Sequence, residues 1–211
     1  MSRRQVDLAT RRAGTGPALR ARQLRIGNPV LRGLARVAGI RTRDRAWRIG
    51  AAGEVKTGAR LDRLRGHGWR VLHSIPLGRG GDIDHLIIGP GGVFTANTKH
   101  HPNARVDVGR SVVFVRGFQV TYIGKALREA SRVQATLSSA LGRAVVVEPL
   151  VIIHGASVSG WLLRRPRGVK VLPSWAATWW LRMPGHRSGR EHADTEALYA
   201  AARDPATWRR I

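Results

Sequence analysis

Apolar and polar positions along the chain fall into alternating runs between about residues 69 and 115, with helical spacing on either side. Over 50–65, Val55, Ala59 and Leu64 are apolar and Glu54, Lys56, Arg60, Asp62 and Arg63 polar, which predicts a helix. Gly66-His67-Gly68 stops it, because glycine takes the left-handed cap conformation readily. Strands are predicted over 69–75, 82–88 and 93–99. Pro76 and Gly78-Arg79-Gly80-Gly81 separate the first two; Gly89-Pro90-Gly91-Gly92 makes a tight turn between the second and third. Pro102-Asn103 predicts a break, and 105–108 and 111–115 then form a second hairpin around Gly109-Arg110. Over 122–141 the apolar stripe of Tyr122, Ile123, Ala126, Leu127, Ala130, Val133, Leu137 and Leu141 predicts a long helix ended by Gly142. Residues 145–153 are continuously apolar and β-branched, as in a central strand buried on both faces. A short edge strand over 169–172 follows. Pro173 then opens a helix whose Trp175, Trp179 and Trp180 have the spacing of core residues, and a last helix runs from about 191 to 202. The order predicts an α/β fold, a mixed sheet flanked by helices.

Three regions are expected. Residues 1–46 are studded with arginine and read as a basic, disordered or loosely attached arm. Within it, Leu31, Leu34, Val37 and Ile40 predict a short amphipathic helix over 29–40. Residues 47–155 form the core, and 156–211 a helical extension packed on it. No run of eighteen apolar residues occurs, so no membrane span is expected. The start of the chain lacks the apolar core of a signal peptide. The absence of cysteine excludes disulfides, thiolate metal sites and cysteine nucleophiles, and fits a cytoplasmic protein.

Charge changes the picture most. Thirty-seven Lys and Arg against thirteen Asp and Glu give a net charge of +24. Such a field attracts polyanions, with nucleic acid first and an anionic membrane surface second. A GC-rich coding sequence would also favour a composition rich in Arg, Ala and Gly; only Lys56, Lys99, Lys125 and Lys170 are lysines. Arg79, Arg105, Lys125, Arg128 and Arg132 are the candidate phosphate contacts.

Candidate chemistry gathers on the first hairpin. Alternation puts Asp82 and Asp84 on one face of a strand, and Asn97 and Lys99 on one face of the next. Closing the Gly89–Gly92 turn brings Asp84 near Asn97 and Lys99. Metal-assisted hydrolysis of a phosphodiester needs oxygen ligands for Mg²⁺ and a cation near the attacking water or scissile phosphate. An acid beside a lysine meets those needs; equally, Asp84 would cap a turn or pair with arginine, and Lys99 would be a solvated edge charge. Other sites find no support. His100-His101 face opposite ways and offer too few ligands for zinc. The Gly78–Gly81 loop lacks the GxxxxGK[ST] pattern and precedes a strand. Ser157 and Ser159 lack a nucleophile-elbow frame.

Gly50-Ala51-Ala52-Gly53-Glu54, Gly81-Asp82-Ile83-Asp84-His85, Gly91-Gly92-Val93-Phe94 and Asn97-Thr98-Lys99 together resemble the nuclease-related domain, NERD, over about residues 47–155. That family resembles the restriction-endonuclease-like PD-(D/E)xK superfamily. The resemblance implies a mixed sheet between helices and Mg²⁺-supported cleavage of DNA. It assigns Asp84 as the first metal-binding acid, Lys99 as the catalytic lysine, and Glu54 as a further metal or water contact. Asn97 stands where the ExK motif has its Glu. An amide oxygen ligates a metal without bringing charge, so Asn97 weakens affinity for a divalent ion. Two readings stay open: a Mg²⁺-dependent nuclease, or a binding or adaptor module that kept the fold and lost the chemistry.

Overall fold

The turn between Gly89 and Gly92 closes as its composition dictates, joining β2 (Asp82–Gly89) to β3 (Gly92–Val108) in an antiparallel pair. Gly92 takes φ 129°, a conformation that side chains rarely adopt. The computed structural model describes residues 7–16, 43–77, 81–183 and 192–209. The predicted helix over 29–40 and Arg79 lie outside the described residues.

Among the described residues seven strands form one mixed sheet. β1 (Arg70–Pro76) pairs with β2 antiparallel, and β2 with β3. The other edge of β3 carries β6 (Val147–Ser159) in parallel, and β7 (Lys170–Pro173) lies parallel outside β6. Two short strands, β4 (Val113–Val115) and β5 (Phe118–Val120), extend the far end of β3 as a meander.

Helices cover both faces. α1 (Arg43–Leu61) and α3 (Ala177–Leu181) flank a core of Leu61, Leu64, Ile87, Phe94, Leu150, Ile152 and Trp180. On the opposite face α2 (Tyr122–Leu141) and α4 (His192–Arg203) pack over Leu72, Leu86, Ile88, Val133, Leu137 and Leu198. The mixed sheet between helices is the architecture expected from the order of the elements.

Four details differ from the sequence expectation. β3 does not stop at Pro102-Asn103; it runs 17 residues, with a register shift against β6 between His100 and Ala104. A bulge absorbs the proline, and Asn103 takes φ 53° there. Pro173 ends β7 instead of opening a helix, which begins at Ala177. Trp180 is buried, but Trp175 and Trp179 are exposed. Finally, residues 7–16 lie on the core where a loosely attached arm was expected. Leu8 is buried beside Leu72 and Leu198, Asp7 pairs with Arg203, and the Ser74 hydroxyl donates to the Arg12 carbonyl at 3.3 Å. A composition averaged over the arm hides these single anchors.

Candidate functional site

β2 and β3 part at the position the sequence singled out. Their ladder runs from the turn to His85 opposite Ala96. The next pair outward would be Asp84 and Asn97. There the Asp84 carboxylate takes over the work of the ladder: Oδ2 accepts the Thr98 backbone N–H at 2.7 Å. Across β2's other edge stands Ser74, with φ 51° in the middle of β1. That backbone costs roughly 1–3 kcal/mol for a residue with a side chain, and such strain concentrates at functional sites.

β3 then presents Asn97 and Lys99 on the same face. The Lys99 ammonium donates to Asn97 Oδ1 and lies 5.4 Å from the centre of the Tyr122 ring. Asn97 Nδ2 donates to Glu129 Oε2 of α2 at 2.9 Å. Glu129 is buried, and its other oxygen meets Lys125 one helical turn earlier at 3.3 Å. The neutral Asn97 is thereby joined to a carboxylate from a different element. Glu129 went unrecognised in the sequence because it lies off the apolar stripe of its helix, where a charge is usually solvated. The available signal was its spacing, one turn from Lys125.

Glu54 reaches the cluster from α1. Gly53 makes that approach possible: a Cβ there would come 2.6 Å from His100 Cβ on β3. Glu54 is buried and its Oε2 has no hydrogen-bond partner. Burial first, and the neighbouring Asp84 charge second, push the Glu54 carboxyl up to about 8. Burial also raises Asp84, to about 6, against the pull of Lys99 and Lys125. Lys99 is lowered by its own burial, opposed by Asp84 and Glu129. The site therefore confines three carboxyl groups and two lysines around one amide. Raised to about 8, the Glu54 carboxyl favours its protonated form at neutral pH.

Behind the site, on the α1 face, runs a hydrogen-bonded chain that ends at the Asp62 carboxylate. Thr98 Oγ1 meets His85 Nε2 at 3.1 Å, His85 Nδ1 meets His73 Nδ1 at 2.8 Å, and His73 Nε2 meets Asp62 Oδ1 at 3.2 Å. One arrangement of protons satisfies every link: His73 donates to Asp62, His85 to His73, and Thr98 to His85. Burial lowers the pKa of both rings, so both stay neutral. His85 thus fixes Thr98, whose backbone N–H fixes Asp84.

The structure brings Asp84, Asn97, Lys99 and Glu54 together. The NERD family, the nuclease-related domain, matches residues 49–154. The chain belongs to that family. No curated protein matches the chain. One solved structure it is similar to is Pyrococcus furiosus SfsA in complex with Ca²⁺, at 14% identity and TM-score 0.26, covering 56% of this chain and 54% of that one. The chain therefore spans about half the length of that structure.

The proposed phosphate contacts of this NERD protein are dispersed. Lys125 belongs to the site through Glu129. Arg128 is exposed one turn further along α2, and Arg132 Nη2 donates to the Leu77 carbonyl at 2.9 Å. Arg105 lies beyond the bulge and pairs with Asp107 at 3.0 Å.

Magnesium-type ions take oxygen ligands. Asp84, Glu54, Glu129 and the Asn97 amide oxygen are a donor set of that kind, and Glu54, on losing its proton, would offer a buried oxygen, Oε2, that no hydrogen bond occupies. In chemistry the set fits a hard divalent ion. Among the described residues, however, no three acidic or imidazole side chains stand already gathered into a cluster that could hold one.

Proposed function

We propose that this NERD protein binds DNA and hydrolyses its phosphodiester bonds with the help of a divalent cation, Mg²⁺ by preference. The observation that carries the reading is the Asn97–Glu129 hydrogen bond: the charge missing from the ExK position is supplied by α2. In this reading Asp84, Glu54 and Glu129 hold the ion, with the Asn97 oxygen as a neutral ligand. Bound there, the ion would lower the pKa of water and offset charge on the phosphate. Lys99, held by Asn97, orients water and steadies the negative charge that develops on the phosphoryl oxygens. The net charge of +24 supports polyanion binding outside the site. No described helix is long and apolar enough to cross a membrane.

A second reading has its own observation. With no gathered cluster among the described residues and Lys99 seated on Asn97, the site resembles one in which a fixed cation replaces a metal. In that reading the protein binds nucleic acid without cutting it.

Cleavage of duplex DNA in Mg²⁺ and in Mn²⁺ by wild type, Lys99→Ala and Asn97→Glu separates the two. Hydrolysis requires that wild type cut and that Lys99→Ala lose about 10²–10³-fold in rate. Equal cutting by Lys99→Ala removes the site assignment. An inert wild type whose Asn97→Glu variant gains Mg²⁺-dependent cutting establishes the binding-only reading.

A further inference from the structure

From residue 149 to residue 190 the chain carries no Asp or Glu, seven Lys and Arg, and four of its seven tryptophans. The structure gathers part of this stretch at the β7 edge of the sheet, with β6 between it and β3. After β6, Gly160 turns the chain with φ 72°, and the Arg164 N–H closes the turn on the Gly160 carbonyl at 3.1 Å. Lys170 Nζ then holds the carbonyls of Trp161 and Leu162 at 2.7 and 3.2 Å, and Arg164 Nη1 holds that of Val108 at 3.2 Å. Leu162 and Leu163 project from this braced turn, 62% and 93% exposed. Beside them Trp175 and Trp179, 63% and 50% exposed, stand edge-on to Trp161 at 5.5 and 6.4 Å between ring centres. Arg164, Arg165, Arg167 and Arg182 are exposed around the group, and among the described residues Glu148 pairs with Arg165 at 2.8 Å.

Two polyanions match such a surface. Single-stranded nucleic acid would stack on the tryptophans, but it gives no use to a braced pair of leucines, which have no π face. A bilayer with anionic headgroups uses every part. Leucines enter the acyl boundary, tryptophans settle at the headgroup level, and arginines meet the phosphates. We propose that the turn Gly160–Arg164 together with Trp175 and Trp179 is a docking surface for an anionic lipid membrane. The contact is peripheral. It is independent of the candidate nuclease site and of whether that site cuts.

The test is sedimentation of the full-length protein with vesicles of phosphatidylcholine alone and of equal parts phosphatidylcholine and phosphatidylglycerol. Tryptophan emission is read in parallel, with brominated lipid as quencher. Leu162→Ser/Leu163→Ser leaves the charge untouched, and both positions are exposed enough that folding does not depend on them; Trp175→Ser is the second variant. Expected is binding to the anionic vesicles only, a blue-shifted and quenched emission, and affinity weakened about tenfold or more in the double variant. In about 0.5 M salt, where charge attraction is screened, the wild type should keep a share of binding that the double variant lacks. Wild-type-like binding by the double variant would mean that basic residues elsewhere hold the vesicle, and overturns the proposal. So would equal binding to neutral vesicles, or an oligothymidylate that binds and quenches Trp175 where vesicles do not. Self-association abolished by the double variant, with no vesicle binding, would reassign the surface to a second copy of the chain.

Discussion

Asn97 Nδ2 donates to Glu129 Oε2 at 2.9 Å, so the β3 position that lacks a carboxylate touches one supplied by α2. The bond makes these two residues a unit, and the first prediction concerns their coupling. Asn97→Glu sets two buried carboxylates against each other and should lower Tm in chelator. Added Mg²⁺ should restore Tm by more than it does in wild type, because an ion that binds only the folded state stabilises by mass action. Asn97→Glu/Glu129→Gln should remove most of the loss in chelator. Thermal melts of the three proteins with and without Mg²⁺ decide it; a Tm of Asn97→Glu equal to wild type in chelator would show that the two side chains do not share a site.

Thr98 links the site to the histidines behind it. Thr98→Val removes the hydroxyl that donates to His85 and leaves a buried ring nitrogen unsatisfied, at a cost of about 1–3 kcal/mol. The backbone N–H to Asp84 remains, so any activity should fall far less than in Lys99→Ala. Urea unfolding measures the first effect and the cleavage assay the second.

The histidine pair sets a pH dependence. His73 and His85 have pKa values lowered by burial, whereas in the unfolded chain they protonate near 6.5. As pH falls below that value the unfolded state binds protons that the folded state refuses, so stability present above about 6.5 is lost toward acid. Denaturation midpoints should decline from pH 7 to pH 5, and His73→Gln should flatten that decline. Glu54 works in the opposite sense. Its carboxyl, raised to about 8, favours the folded state at low pH, and that contribution is lost as pH rises through about 8. Glu54→Gln should therefore gain stability over wild type as pH rises.

Two glycines of α1 are contact points. A Cβ at Gly53 would crowd His100, and one at Gly58 would come 2.5 Å from Ala13 Cβ. Overpacking of this kind costs about 1–3 kcal/mol. Gly53→Ala should push α1 off β3 and weaken any role of Glu54, whereas Gly58→Ala should chiefly release residues 7–16. Limited proteolysis distinguishes them: cleavage near the N-terminus should accelerate in Gly58→Ala and not in Gly53→Ala.

Much of this architecture was legible because its determinants are local. The Gly89–Gly92 turn and the flanking alternation specify the first hairpin, and the stripe from Tyr122 to Leu141 specifies α2. The nearness of Asp84 to Asn97 and Lys99 followed from alternation together with the position of the turn. Glu129 did not, because its burial is decided by β3 reaching the flank of the helix, a tertiary fact. Trp175 and Trp179 misled for the opposite reason: helical spacing records periodicity, while Trp175 precedes the five-residue α3, and α3 itself turns Trp180 inward and leaves Trp179 exposed. Leu8 was hidden by the arginines around it, and the continuation of β3 past Pro102 by the assumption that proline ends a strand.

That continuation reverses the parity of the sheet. Before the bulge the odd-numbered residues of β3, Asn97 and Lys99, face α2; beyond it the even-numbered Val106 and Val108 share a core with Ile123 and Ala126 of the same helix. β6 changes phase alongside: Val151 and Ile153 join that core before Gly155, with φ 75°, and Val158 packs against it after. The two strands thus behave as paired gear racks that skip one tooth together. Upstream of the skip, inserting or deleting a single residue would turn the site's side chains to the wrong face. Downstream, the β4–β5 meander keeps its own count, free to change length without disturbing Asp84, Asn97 or Lys99.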